Sequence, residues 1–284
     1  MRFISYSADD QQGVGIKSDH GYRGLPVAEL GGDLQSFLGA ENGLAGLAKA
    51  LTNAPEFALS EVTLLPPIIR PGKILCIGLN YRSHSAESGF EAPEYPAVFA
   101  RFSNGLVAHG APIVRPNASD WLDYECELAV VIGKAGRHIS AEDALAHVAG
   151  YSIFNDGSVR DFQIKSQQWT MGKAFDSTGA FGPELVTGDE LPDGCHGLRI
   201  RTILNGEVLQ DANTADLIFS VPRLIAILSE VMTLDPGDVI VTGTPDGVGA
   251  FRKPQLWLQP GDECTIEIER IGSLTNPIVQ EAAQ

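Results

Sequence analysis

The sequence predicts an α+β fold built on a β-rich core, and three observations predict it. From Lys73 onward the chain breaks into short runs rich in Val, Ile and Phe, bounded by Gly, Asn or Asp. Helical periodicity is confined to a few segments. The two patterns do not alternate in the regular order that a doubly wound sheet needs.

In chain order, Met1–Tyr6 and Val14–Lys17 read as strands and Gly43–Asn53 as a helix. Pro66-Pro67 and Pro71-Gly72 can continue neither a helix nor a central strand, and they mark a boundary. Residues 1–65 are therefore expected as a small N-terminal α/β subdomain leaning on a catalytic domain of residues 66–284. Strands follow at Lys73–Gly78, Pro96–Arg101, Leu128–Gly133, Tyr151–Asn155, Leu198–Leu204, Val239–Thr242 and Glu263–Ile268. Asn205-Gly206, set between two such runs, predicts a tight hairpin. Helices are expected at Asn80–Ser88, Ala141–Ala146 and Val221–Met232. The last places Leu224, Ile225, Leu228, Val231 and Met232 on one face. Ser88–Pro96, with Gly89 and two prolines, is expected as a loop placed to act as a lid.

Composition narrows the function. The 284 residues are 44% hydrophobic and 20% charged, ordinary for a globular chain able to bury a large core. No run approaches the roughly 18 consecutive apolar residues of a membrane helix, and the N-terminus shows no signal peptide. A cytoplasmic protein is expected. Four scattered cysteines without a CxxC pair read as reduced thiols rather than disulfides or a zinc site. A net charge of −16, from 20 basic and 36 acidic residues, disfavours nucleic acid and anionic membrane as partners. An anionic substrate must then meet local positive charge, from a metal or from Arg and Lys.

The sharpest chemical signal is Asp123-Tyr124-Glu125-Cys126-Glu127, which opens an apolar strand. Glu125 and Glu127 lie two apart, so both point to one face and Cys126 and Leu128 to the other. Paired carboxylates repel unless a cation sits between them, and an oxygen-only set suits Mg²⁺ or Mn²⁺ better than zinc. Alone, such a pair would be a solvent-facing strand edge. Asp156, closing the next apolar run, supplies a third carboxylate. Arg160, Gln163 and Lys173 follow closely, and with a metal they are what a small oxo acid requires. His84 and Glu87, three apart on an expected helix, have the spacing of a general base held by a carboxylate, or of a plain surface pair. The run from Thr242 to Gly249 lets backbone approach a ligand closely, but it lacks the spacing of a nucleotide loop.

In this order the segments resemble the fumarylacetoacetate hydrolase family. The resemblance rests on Gly78-Leu79-Asn80-Tyr81 with His84 and Glu87, on Glu125-x-Glu127, and on Asn155-Asp156 with Arg160 and Gln163. It continues through Gly172-Lys173-x-Phe175-Asp176, Gly182-Pro183 and Gly243-Thr244-Pro245-x-Gly247-Val248-Gly249, covering about residues 70–272. Some larger members carry an Asp just upstream of the histidine, where this chain has Cys76-Ile77, which is closer to the small bacterial branch.

The resemblance implies a mixed β-sandwich or roll, usually a homodimer, with Mg²⁺ or Mn²⁺ on Glu125, Glu127 and Asp156. It implies that His84 and Glu87 activate water and that Lys173 faces the substrate. Arg160, Gln163, Thr244 and Arg101 are the candidate substrate contacts. The expected reaction is hydrolysis of the C3–C4 bond of a 2,4-dioxo acid, an acylpyruvate such as fumarylpyruvate or a 2,4-dioxo-3-deoxy sugar acid, giving pyruvate and an acid. The alternatives are oxaloacetate decarboxylation, keto–enol and double-bond isomerisation of a 2-hydroxydienoate on the same site, and oxo-acid binding without catalysis.

Overall fold

The computed structural model describes residues 1–40, 42–87, 89 and 91–283. Its first strands are β1 (Arg2–Ala8), β2 (Gln11–Ser18), β3 (Gly21–Pro26), β4 (Glu56–Phe57), β5 (Thr63–Leu65), β6 (Ile74–Gly78) and β7 (Ala97–Arg101). Next come β8 (Leu106–Val107), β9 (Ile113–Arg115), β10 (Leu122–Asp123), β11 (Cys126–Ile132), β12 (Val148–Asp156), β13 (Ser158–Val159) and β14 (Gly179–Val186). The last are β15 (Arg199–Leu204), β16 (Glu207–Asn213), β17 (Val239–Val241), β18 (Glu263–Ile268) and β19 (Gly272–Gln280). Helices are few and short, and no helix among the described residues is long and apolar enough to cross a membrane.

A long sheet runs β4-β3-β2-β1-β14-β12-β11-β17-β6-β7, with β5 paired to β1 and β8 to β14. A second sheet runs β16-β15-β18-β19-β9, and β10 pairs with β13. Pairing is antiparallel except at β17–β6, β14–β8 and β19–β9. This is the mixed, β-rich architecture expected.

Every residue of β11 is buried, because both its faces are covered. Cys126, Leu128, Val130 and Ile132 share a core with Ile200 and Leu204 of β15, Ile266 of β18, and Leu224, Ile225 and Leu228 of the helix Val221–Val231. Ala129 and Val131 face a second core with Leu34, Leu38, Leu47 and Leu51 from the helices Leu34–Leu38 and Gly43–Leu51. A strand covered twice reads as an unbroken apolar run, as Leu128–Ile132 does. Each such leucine contributes about 1.5–3 kcal/mol of transfer free energy.

Several elements differ from expectation for local reasons. Val231 closes its helix 62% exposed instead of joining the buried face. Ala141–Ala146 forms only the 3₁₀ turn Ala144–His147, because β12 begins at Val148 and leaves no length for an α-helix. Asn80 does not start a helix: its amide donates to Phe219 O and Thr242 O, and the helix begins at Arg82. The strand β14 was unexpected, since two glycines and Pro183 interrupt it. Its pairing with β12 shifts register between Tyr151 and Ile153, and Pro183 sits at that irregularity, where a missing N–H does little harm.

Residues 1–65, read from sequence as a small subdomain, continue the long sheet. Arg2 pairs with Val186 and Phe3 with Leu185, and β2, β3 and β4 extend outward from there. From Glu91 to Pro96 the chain is neither helix nor strand. Ser88 and Phe90 lie outside the described residues, and the expected lid motion with them.

Candidate active site

Strand pairing brings the three carboxylates together. β11 and β12 run antiparallel with Cys126 opposite Asn155, so Glu125 and Asp156 continue the register side by side. Asp156 N donates to Glu125 O at 3.0 Å, and Glu125 N donates to Asn155 Oδ1 at 3.0 Å. Ligand-type oxygens of Glu125, Glu127 and Asp156 lie within 4.8 Å of one another, and all three residues are buried.

Three cations meet four buried acids here, Asp123 being the fourth. Lys173 Nζ donates to Glu125 Oε2 and to Asp156 Oδ2, each at 2.6 Å. Arg160 Nη1 lies 2.7 Å from Glu125 Oε1, and Arg160 Nε donates to Asp123 Oδ2 at 2.8 Å. Arg101 Nη1 donates to Asp156 Oδ1 at 2.6 Å. Glu127 has no cation partner among the described residues; Gly243 N donates to its Oε2 at 2.5 Å.

Burial disfavours the charged form of each carboxyl, and neighbouring charges decide the outcome. For Glu125, burial is outweighed by Lys173, Arg160 and His84, and the carboxyl is held down to about 2. For Glu127, burial is reinforced by Asp156 and Glu125, which push the carboxyl well above its ordinary range. Burial alone would lower Lys173, but Asp156 and Glu125 outweigh it and raise its pKa. An oxygen-only donor set with one uncompensated carboxylate fits a hard divalent cation. Each carboxylate oxygen has more than one lone pair, so the bonds to Lys173, Arg160 and Arg101 leave capacity for it. Glu125, Glu127 and Asp156 are the residues that would hold Mg²⁺ or Mn²⁺.

His84 and Glu87 sit on the helix Arg82–Glu87, with His84 Nδ1 3.4 Å from Glu87 Oε2. Gly247 N donates to the two Glu87 oxygens at 3.1 and 3.2 Å. Gly249 N and Ala250 N donate to Asp123 at 2.8 and 2.9 Å. The glycine-rich loop is thus tied through its N–H groups to a candidate metal ligand, to the partner of the candidate base and to the partner of Arg160. Its Thr244 hydroxyl accepts from Gln210 Nε2 at 2.9 Å.

A cavity of about 330 Å³ joins these groups, bordered by His84, Glu125, Glu127, Arg160, Lys173 and Thr244. Gln163 also borders it and accepts from Arg160 Nη1 at 3.0 Å. Lys173 reaches it from the turn Thr170–Lys173. That turn packs so closely that a Cβ at Gly172 would fall 2.5 Å from the backbone of Gln163. A more open cleft of about 590 Å³ lies elsewhere, beside Arg2, Arg199 and Arg201. Those arginines are paired with Glu184 and Glu190, Asp211 and Glu267, and no candidate residue borders that cleft.

One expected substrate contact is corrected. The Arg101 side chain is fully buried and does not border the cavity; it is spent on Asp156, Gly157 O and Thr178 Oγ1, behind the carboxylates. Conversely, Asp123 was read only as part of the motif, yet it fixes Arg160. Its position two before Glu125, with the same strand parity, was the available signal.

The family described as fumarylacetoacetate (FAA) hydrolase C-terminal matches residues 73–279. The chain belongs to the fumarylacetoacetate hydrolase family. It is 46% identical over 227 residues to the mitochondrial oxaloacetate tautomerase FAHD2A of Homo sapiens, covering 79% of this chain and 72% of that protein. Among solved structures it matches a fumarylacetoacetate hydrolase from psychrophilic Exiguobacterium antarcticum, with TM-score 0.84, 32% identity and coverage of 99% and 100%. It also matches the maleylpyruvate hydrolase of Sphingobium sp. SYK-6 in complex with manganese(II) and pyruvate, with TM-score 0.83, 28% identity and coverage of 99% and 100%. As a family member the chain is an enzyme whose relatives act on oxo acids.

Proposed function

We propose that this protein catalyses the keto–enol interconversion of oxaloacetate, or of a 2-oxo acid close to it, with Mg²⁺ or Mn²⁺ at Glu125, Glu127 and Asp156. The observation that carries the reading is that His84, paired with Glu87, borders the same cavity as Glu125, Glu127 and Lys173. The likeness to an oxaloacetate tautomerase supports the choice of substrate over the C3–C4 hydrolysis expected from sequence. Hydrolysis stands as the second reading, favoured by the likeness to a maleylpyruvate hydrolase.

The metal, when bound, supplies Lewis acidity toward the oxygens of the oxo acid. His84 takes up and returns the proton: the C2 hydroxyl of the enol loses one, C3 gains one, and the formula is unchanged. Glu87 orients the imidazole, and Gly247 N fixes Glu87 in turn. Nε2 of His84 has no protein partner among the described residues and is the nitrogen left for substrate. Lys173 and Arg160 supply positive charge for the carboxylate and for the charge that builds on the C2 oxygen. A homodimer is part of the same proposal, and light scattering checks it. The human relative is mitochondrial by name, which differs from the cytoplasmic location expected from sequence.

Decay of the enol absorbance of oxaloacetate in the presence of Mg²⁺ tests the reading. His84→Ala should lower kcat by about 10²–10⁴-fold and leave metal affinity in place. Wild-type turnover in that variant removes His84 from the mechanism. A wild-type protein that releases pyruvate from an acylpyruvate, while leaving enol decay at its background rate, establishes the second reading instead.

A further inference from the structure

All three tryptophans of the chain, Trp121, Trp169 and Trp257, border the candidate cavity. Nothing in the proton transfer above uses them. Trp169 packs against the end of β6, where a Cβ at Gly78 would come within 2.1 Å of Trp169 Cζ3. It also meets Phe99 edge-on at 5.6 Å between centroids. Trp121 and Trp257 stack at 5.2 Å with their planes 8° apart. These rings hold protein contacts before any ligand arrives, which lowers the cost of ordering them on binding. Part of it is uncovered: Trp121 is 39% exposed, Phe251 43% and Ile164 72%. Apolar side chains gathered at a cavity mouth, rather than scattered, mark a surface that a ligand covers.

Charge favours an apolar group over an anion in contact with this wall. Arg160 and Lys173 are the only Arg or Lys bordering the cavity among the described residues. Both lie at its acidic floor, committed to Asp123, Glu125 and Asp156. A carboxylate pressed against the indoles would lose water and gain no cation, so that of oxaloacetate has to stay in water at the uncovered mouth. A flat apolar group would gain ring contacts and burial.

We propose that the tryptophan wall is a subsite for a planar apolar substituent on C3 of the 2-oxo acid. The same centre would then interconvert the enol and keto forms of arylpyruvates as well as oxaloacetate. The inference rests on the proton-transfer reading above and differs from it only in what C3 carries. The balance is the same: the C2 hydroxyl gives up one proton, C3 gains one, and no co-reactant is needed.

The test compares pyruvate with phenylpyruvate on the Mg²⁺-loaded protein by calorimetric titration, and follows enol decay of phenylpyruvate and of oxaloacetate. Phenylpyruvate should bind at least about tenfold tighter than pyruvate, and its enol should decay faster than background. Trp169→Ala and Trp257→Ala should each shrink that affinity ratio and lower the phenylpyruvate rate relative to the oxaloacetate rate. Equal affinities for the two pyruvates, or a ratio that neither variant moves, overturn the subsite. If oxaloacetate enol is still consumed in that case, the oxaloacetate reading survives alone. Consumption of phenylpyruvate enol without oxaloacetate turnover supports the subsite and removes the oxaloacetate reading.

Discussion

Two clusters of acidic residues in this protein use the same chemistry and end in opposite electrostatic states. At the outer end of β14, Glu184 meets Arg2 at 2.9 Å and Lys17 at 3.6 Å, and Glu190 meets Arg2 at 2.8 Å. Each of those two carboxylates has its cation. At the cavity floor, Glu125 and Asp156 are paired just as closely, but Glu127 faces both of them with a single backbone donor and no cation among the described residues. Burial and its two acidic neighbours push its carboxyl up. A fully paired cluster fastens chain segments to each other. A cluster one cation short has its balance completed by a ligand, which is the proposed role of the floor.

The largest effect that would break this comparison is at Asp123. Asp123→Asn leaves Arg160 buried with one acid fewer, so unfolding in urea should show a loss of about 3–5 kcal/mol. Gly172→Ala comes next. The added methyl drives the Thr170–Lys173 turn off Gln163, which costs about 1–3 kcal/mol through overpacking and moves Lys173 away from Glu125 and Asp156. Turnover should fall with it, as a steady-state assay would show. Smallest is Glu190→Gln at the outer cluster. Its ion pairs with Arg2 and with the N-terminal ammonium are partly solvated, and their loss should cost about 1 kcal/mol or less with turnover unchanged. If Asp123→Asn cost no more than Glu190→Gln, the floor would be an ordinary ion cluster.

How much of this was legible in the sequence follows from the range of each interaction. The parity of Glu125 and Glu127 is local, and the structure keeps Cys126 and Leu128 in the core on the other face. His84 and Glu87 are one helical turn apart, so their pairing was local too. Asp123 and Arg160 are 37 residues apart, and Gly243 N and Glu127 are 116 apart; no spacing rule reaches those bonds. Arg101 was misread because a buried arginine and a substrate-binding one share a sequence signal. Only its position behind Asp156 separates them. The strand β14 escaped because its glycines and proline are turn signals wherever a bulge does not accommodate them. The tryptophan wall combines Trp121, Trp169 and Trp257 from three distant segments, and a composition of three tryptophans gives no hint that they meet.

The central claim is that the carboxylate floor holds a divalent cation. Its most direct test is calorimetric titration of the metal-free protein with Mn²⁺, run beside Glu127→Gln. That substitution keeps the shape of the side chain and an oxygen for Gly243 N, and removes the carboxylate that has no cation. The account predicts saturable Mn²⁺ binding by the wild type and about 100-fold or more weaker binding by the variant, since even residues behind a metal's ligands cost about 10–100-fold when changed. The metal-free variant should unfold no more easily than the metal-free wild type, because it has lost a repulsion rather than a partner. A wild-type protein that takes up no Mn²⁺, or a Glu127→Gln variant that binds it as tightly, would contradict the account.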